Sequence, residues 1–313
     1  MARYRRDLPQ LSGELFITDG GLETTLYFTK GFELPEFAAF VLLDQPGGRE
    51  AMEAYFDAYA DIARHFNLNF ILESATWRAS PDWGRKLGYD RDALADINRR
   101  AIDLLQGIRA RHDTGAAHWV ISGCMGSRGD GYDPKEMMTI DESRDYHRDQ
   151  VHMLRQTEAD MVTAFTIPYA EEAIGLTRAA RDEDMPVAIG FTVETDGRLP
   201  SGQHLKEAVR QVDAATDNGP AYYMINCAHP THFHDVLEPG AAWTKRIRAI
   251  RANASASSHA ELEAMEELDD GNPQEFGRQY RALVDQMPHL NILGGCCGTD
   301  QRHVEAICRA VLN

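Results

Sequence analysis

The chain has 313 residues, 43% of them hydrophobic and 26% charged, with 32 Lys and Arg against 49 Asp and Glu for a formal net charge of −17. A surplus of that sign repels phosphate backbones and anionic lipid, which argues against nucleic acid and membrane surfaces as partners. No stretch approaches the roughly 20 apolar residues of a spanning helix, and the opening MARYRRDLPQ leads into no apolar signal segment, so a cytoplasmic location is expected.

Taken in chain order, short apolar and β-branched runs recur as LFITDG near 15, FILES near 70, HWVISG near 118 and DMVTAFT near 160, then PVAIGFTV near 186, YYMINC near 222, RIRAIRANAS near 246 and LNILGG near 290. These are eight candidate strands. Helical patterns lie between them, as in GREAMEAYFDAYADIARHF, where Met52, Tyr55, Phe56, Tyr59, Ile62 and Phe66 keep the 3.6-residue period of a helix with one buried face. Strands alternating with helices imply parallel pairing through crossovers, and eight such units predict a (β/α)8 TIM barrel as a single α/β domain over 1–313. An open doubly wound sheet is the alternative. It is disfavoured because DGGLETT, after the first strand, lacks the third glycine and the acidic partner of a dinucleotide site. The acidic stretch SASSHAELEAMEELDDGNPQEFG has a capping-box spacing at Ser258 and Glu261 and an apolar stripe at Leu262, Met265 and Leu268, and is read as a solvated helix after the seventh strand.

Five cysteines are odd in number and too sparse for a secreted disulfide scaffold, so reduced thiols are expected. Cys124 and Cys308, in VISGCMG and VEAICRAVL, read as core residues. The other three fall at strand ends: Cys227 closes the sixth strand beside Asn226, and Cys296 and Cys297 close the eighth between glycines. In a barrel those ends form one rim, the face on which active sites are built. Three thiolates without an evident fourth protein ligand suit a catalytic zinc ion, whose open position takes an exogenous thiol and holds it as thiolate. The adjacent pair also reads as a vicinal disulfide or as packing residues. His229, His232 and His234 in CAHPTHFHD offer either a different metal site or ordinary loop caps.

The ordered blocks DGGLETTL, ISGCMGSRG, AFTIPYAEEA, GFTVETDGRLPSG, INCAHP and GGCCGT, from about residue 14 to 312, resemble the homocysteine S-methyltransferase family, which includes the S-methylmethionine and betaine enzymes. The resemblance implies a (β/α)8 barrel with zinc (Zn2+) held by Cys227, Cys296 and Cys297. It further implies in-line methyl transfer from a methylated sulfonium or ammonium donor to a small-molecule thiol acceptor, homocysteine in the standard case, giving methionine. By the same resemblance Asp19, Gly20 and Gly21 line the amino-acid pocket, and Thr76, Trp77 and Asn226, the last directly before the zinc ligand Cys227, are expected among the substrate-binding residues. An aromatic face at Trp77 suits a cationic donor. Two positions depart from the family pattern. Phe165 replaces a glutamate that contacts the substrate amino group, and Arg78 follows Trp77 where Gln or Tyr is usual. Both changes move the pocket toward positive charge and so toward a thiol carboxylate. Two readings from other classes compete: a zinc or thiol redox sensor built on Cys296 and Cys297, and a His-ligated metal-dependent lyase or hydrolase. The sequence carries no interface signature that fixes an oligomeric state.

Overall fold

The computed structural model describes residues 2–312. Its eight strands are β1 (Phe16–Ile17), β2 (Asn69–Glu73), β3 (Trp119–Gly126), β4 (Met161–Ile167), β5 (Val187–Phe191), β6 (Tyr222–Asn226), β7 (Ile247–Ala252) and β8 (Ile292–Gly295). Every neighbouring pair is parallel and β1 pairs with both β2 and β8, so the sheet closes on itself in chain order. The expected (β/α)8 barrel is therefore observed, with all eight expected strands in place.

Strand alternation sorts the apolar residues into two cores. Phe16, Ile71, Val120, Met161, Ala188, Tyr222, Ala249 and Ile292 point inward and fill the barrel. Ile17, Phe70, Leu72, Ile121, Val162, Ile189, Tyr223 and Ile250 point outward against the helices. The helix Gly48–Phe66 buries Met52, Tyr55, Phe56 and Tyr59, as its period predicts. Two residues beyond the inward positions Ile71, Ala249 and Met224, the same alternation places Glu73, Arg251 and Asn226 in the top layer, where the barrel opens. Among the described residues no helix is long and apolar enough to cross a membrane.

The segment after β7 differs from expectation. The capping box at Ser258 and Glu261 is present, but the helix it starts is only five residues long, His259–Glu263. Leu262, Met265 and Leu268 then line a cavity over the barrel mouth. An apolar stripe facing a ligand cavity has the same sequence signature as one facing a core, which is why the pattern read as a solvated amphipathic helix.

Candidate active site at the C-terminal rim

Three sulfurs meet at the rim. The Sγ atoms of Cys227, Cys296 and Cys297 lie within 4.8 Å of one another, and among the described residues they are the group of three that could hold a metal ion. Cys227 and Cys296 are 4% and 9% exposed, and Cys297 is half-buried.

Backbone hydrogen bonds fix the geometry from both sides. Cys227 N–H donates to the Arg251 carbonyl at 3.1 Å and Cys296 N–H to the Ala252 carbonyl at 2.8 Å, so both cysteines hang from β7. Ala254 N–H donates to the Cys297 carbonyl at 3.0 Å, and Thr299 Oγ1 to the Cys296 carbonyl at 2.7 Å. Gly298, at φ 77°, supplies the left-handed turn that lets the adjacent cysteines leave the strand. A Cβ on Gly21 would meet the Cys296 carbonyl oxygen at 2.6 Å, so only glycine permits this approach of the β1 loop to the cluster.

The structure pairs Cys227 with Cys296 as a disulfide, 69 positions apart, and leaves Cys297 a free thiol. This corrects the expectation of reduced thiols throughout, and the bond is not the vicinal one that the adjacent pair suggested. The physical reason is the convergence itself, because two strand ends that aim thiols at one point also hold them within bonding reach. Thiolates around one tetrahedral zinc, with Zn–S bonds of about 2.3 Å, are separated by about 3.8 Å. Sulfurs within 4.8 Å of one another reach that spacing, once reduced, by small side-chain rotations. Soft thiolate donors are also the ligand type that zinc takes, so the residues fit the ion.

A cavity of about 460 Å³ opens beside the sulfurs, and Asp19, Gly20, Gly21, Trp77, Arg78 and Phe165 line it. Thr76 and Asn226 do not. Thr76 is fully buried behind the wall, its hydroxyl donating to the Cys124 carbonyl at 2.6 Å. Asn226 is also fully buried and spends both ends of its amide on Thr166: Oδ1 accepts from the Thr166 N–H and Nδ2 donates to Thr166 Oγ1, each at 3.0 Å. Thr166 and Cys227 both have left-handed backbones, at φ 58° and 53°. Asn226 thus clamps one strained residue and directly precedes the other.

Trp77 has one ring face covered by the Arg78 guanidinium, 4.6 Å from its centroid, and Trp83 packs on the same guanidinium at 4.0 Å. The cation at the Trp77 face in this structure is thus Arg78.

Three acids and one base of the cavity were not singled out together by sequence reasoning. Asp19 Oδ2 accepts from Tyr55 Oη at 2.9 Å, and Asp19 Oδ1 lies 2.9 Å from Arg251 Nη1. Arg251 is anchored by Nε to the Gly295 carbonyl and Nη2 to the Gly20 carbonyl, at 2.9 and 3.0 Å, and lies 5.0 Å over the Phe165 ring. Its charge is held firmly on, above the usual arginine range, by Asp19 and Glu73 despite burial. Burial pushes Glu73 up to about 7, and Glu23 on the cavity wall likewise. Burial, then the charge of Glu23, pushes the Cys297 thiol up to about 12. The signal for Arg251 was present in RAIRANAS, where inward alternation runs Ala249, Arg251, Asn253, but an arginine in a strand reads more readily as solvent-facing.

Two loops cover the mouth from opposite sides of the ring. Tyr132, following β3, packs its ring against His259, following β7, with centroids 3.8 Å apart. Neither residue stood out in the sequence. The histidine trio is employed locally: His229 Nδ1 accepts from the Thr231 N–H, His232 Nε2 bonds the Ala256 carbonyl and His234 faces Asp235. The loop-cap reading therefore holds. Cys124 and Cys308 are buried, with Cys124 also touching the cavity floor.

The sequence profile of the homocysteine S-methyltransferase family matches residues 16–311. Homocysteine S-methyltransferase 4 of Zea mays is 24% identical, over 96% of this chain and 90% of its own. Homocysteine S-methyltransferase 1 of Arabidopsis thaliana is 24% identical over 56% of this chain, and that match spans about half, 53%, of the relative. Among solved structures, the oxidized form of the homocysteine methyltransferase MmuM from Escherichia coli superposes with a TM-score of 0.74 at 18% identity, covering 97% of this chain and 99% of that one.

Proposed function

Because the chain belongs to the homocysteine S-methyltransferase family, its match running from residue 16 to 311, we propose that it is a zinc-dependent S-methyltransferase. It moves a methyl group from a sulfonium or betaine-type donor to a thiol, homocysteine or a related thiol carboxylate. The observation that carries this reading is the meeting of Cys227, Cys296 and Cys297 at the edge of a cavity sized for small molecules. When bound by these thiolates, zinc supplies the cation that keeps an acceptor thiol deprotonated at neutral pH. In the transfer the acceptor sulfur forms a bond to the methyl carbon while the carbon's bond to the donor sulfur or nitrogen breaks, and the departing donor takes that electron pair and loses its positive charge.

The chain's own contribution is positioning and exclusion of water. Gly21 and Gly298 let the β1 and β8 loops close around the cluster, Asn226 fixes the backbone ahead of Cys227, and Tyr132 with His259 roofs the cavity. Holding donor methyl and acceptor sulfur in line within such an enclosure supplies much of the rate.

The test is zinc content and methyl transfer in the reduced wild type and in Cys227→Ser, Cys296→Ser and Cys297→Ser, with S-methylmethionine or betaine as donor and homocysteine as acceptor. About one zinc per chain, lost with activity in all three variants but retained in Cys308→Ser, is the expected result. Zinc binding without transfer to any thiol would refute the assigned reaction. The sensor reading requires no cavity, and the lyase reading requires histidines that already have hydrogen-bond partners of their own.

A further inference from the structure

Independently of the methyl-transfer reading, we propose that the opposite face of the barrel carries an anion site: Arg5, Arg6, Arg155 and Arg181 surround a pocket of about 530 Å³ that takes an oligophosphate, free or as the tail of a nucleotide. The pocket lies where strands begin. Met185, Pro186 and Val187 lead into β5, Gly219 precedes β6, Arg155 ends the helix Ile140–Arg155, and Arg181 lies one residue from the end of the helix Ala170–Asp182. The sulfur cluster sits at the other end of the same barrel.

Three of the four guanidiniums are positioned by neutral groups, which orient a charge without cancelling it. Arg5 donates from Nε to the Ala159 carbonyl at 3.1 Å, from Nη1 to the Arg155 carbonyl at 3.2 Å and from Nη2 to the Thr157 carbonyl at 3.0 Å. Arg155 Nε donates to the Glu183 carbonyl at 2.9 Å, and Arg181 Nη2 donates to the Thr216 carbonyl. Both Nη groups of Arg155, and Nε and Nη1 of Arg181, have no partner among the described residues. Arg6 is exposed and makes no hydrogen bond or ion pair among them. A Cβ on Gly219 would meet Thr177 Cγ2 at 2.7 Å and Arg181 Nη2 at 3.1 Å, so a glycine there lets the guanidinium lie against the loop.

The acids that could neutralise the cluster are engaged elsewhere. Asp160 pairs with Arg109, Asp182 with Arg144, and Glu183 with Arg148 and His152. Asp184 lines the pocket, yet among the described residues no carboxylate forms an ion pair with any of the four arginines. Burial, then the charge of Arg155, pulls Arg5 below the usual arginine range, with only a smaller opposing pull from Asp160. The helices Ile140–Arg155, Ala170–Asp182 and Leu205–Thr216 end at this face. Each end brings about half a negative charge, too little to offset four full positive charges beside one aspartate.

The rest of the molecule decides the size of the ligand. A chain with 49 acids against 32 bases repels an extended polyanion, whereas a compact one reaches the arginines within the screening length of about 10 Å. Guanidinium forks match phosphate oxygens in pairs. One phosphate carries at most about two negative charges, less than this cluster supplies, which favours two or three phosphates in a chain.

Calorimetry on the full chain at physiological ionic strength tests the site with phosphate, tripolyphosphate, ATP and a short single-stranded oligonucleotide. Tripolyphosphate is expected to bind once per chain, about tenfold or more tighter than phosphate. Arg6→Gln and Arg181→Gln should each weaken it about tenfold, and the first removes no contact that the fold uses. Arg64→Gln, exposed on the helix Gly48–Phe66 away from the pocket, should leave the affinity unchanged. ATP binding tighter than tripolyphosphate would identify the nucleotide as the natural source of the phosphates, and equal affinities would identify a free oligophosphate. The proposal is overturned by the absence of saturable tripolyphosphate binding at millimolar concentration, or by binding that survives both pocket variants. Phosphate or the oligonucleotide binding as tightly as tripolyphosphate would overturn it as well, since either result reduces the pocket to general electrostatic attraction.

Discussion

Arg251 of β7 and Asp19 beyond β1 face each other at 2.9 Å across the intervening end of β8, with neither residue more than 4% exposed. Removing one member of such a pair strands the other charge in a low-dielectric site. Asp19→Asn is therefore expected to destabilise the chain by about 3–5 kcal/mol, read as the midpoint shift of urea unfolding at pH 7. Asp19→Asn combined with Arg251→Met should recover much of that loss, since the double variant leaves no orphaned charge. Equal unfolding midpoints for Asp19→Asn and wild type would show that the pair is not desolvated.

Asn226 gives a second test. Its amide satisfies the N–H and hydroxyl of Thr166, and Asn226→Ala orphans both in a fully buried position. A cost of about 2–4 kcal/mol is expected. Zinc affinity should fall about tenfold or more, because the backbone leading into Cys227 loses its support. A variant that is destabilised yet binds zinc with wild-type affinity would confine Asn226 to the fold.

The pH dependence of stability follows from Glu73. Its carboxyl titrates near 7 in the folded chain against an ordinary 4.5, so the folded state holds the proton more tightly than the unfolded state does. Stability from this group is complete below 4.5 and declines as pH rises through 7. Glu73→Gln should remove up to about 3 kcal/mol of that decline, at about 1.4 kcal/mol per pH unit. Thermal unfolding of both proteins between pH 5 and 8 checks it, and parallel curves would count against the assignment.

Glycine substitutions separate the site from the scaffold. Gly21→Ala drives a Cβ to 2.6 Å from the Cys296 carbonyl, whereas a Cβ on Gly107 meets only the end of Arg111, at 3.6 Å. The first should cost about 1–3 kcal/mol and lower zinc occupancy. The second, inside the helix Arg91–His112, should gain about 0.5–1 kcal/mol. Melting temperatures and metal content of the two variants report the contrast.

How far the sequence reaches is visible in individual residues. Strand order, the inward positions and the three cysteines follow from periodicity and from glycine-flanked strand ends, signals that lie within a few residues of one another. Arg251 does not, because its meaning depends on Gly20, 231 positions away, and on an aspartate across the seam. Tyr55 illustrates the same limit. Its helical period correctly buries it, but the period cannot say that its hydroxyl ends on Asp19. The stretch from Ser258 to Leu268 misled for a different reason, since an apolar stripe does not say whether it faces a core or a ligand.

The Tyr132 and His259 rings in contact come from the loops after β3 and β7, four strands apart around an eight-stranded ring. The roof of the site is thus shared between two loops far apart in the sequence, and a smaller ring at position 132 is expected to loosen it and to speed exchange between cavity and solvent while the sulfur cluster beneath keeps its shape.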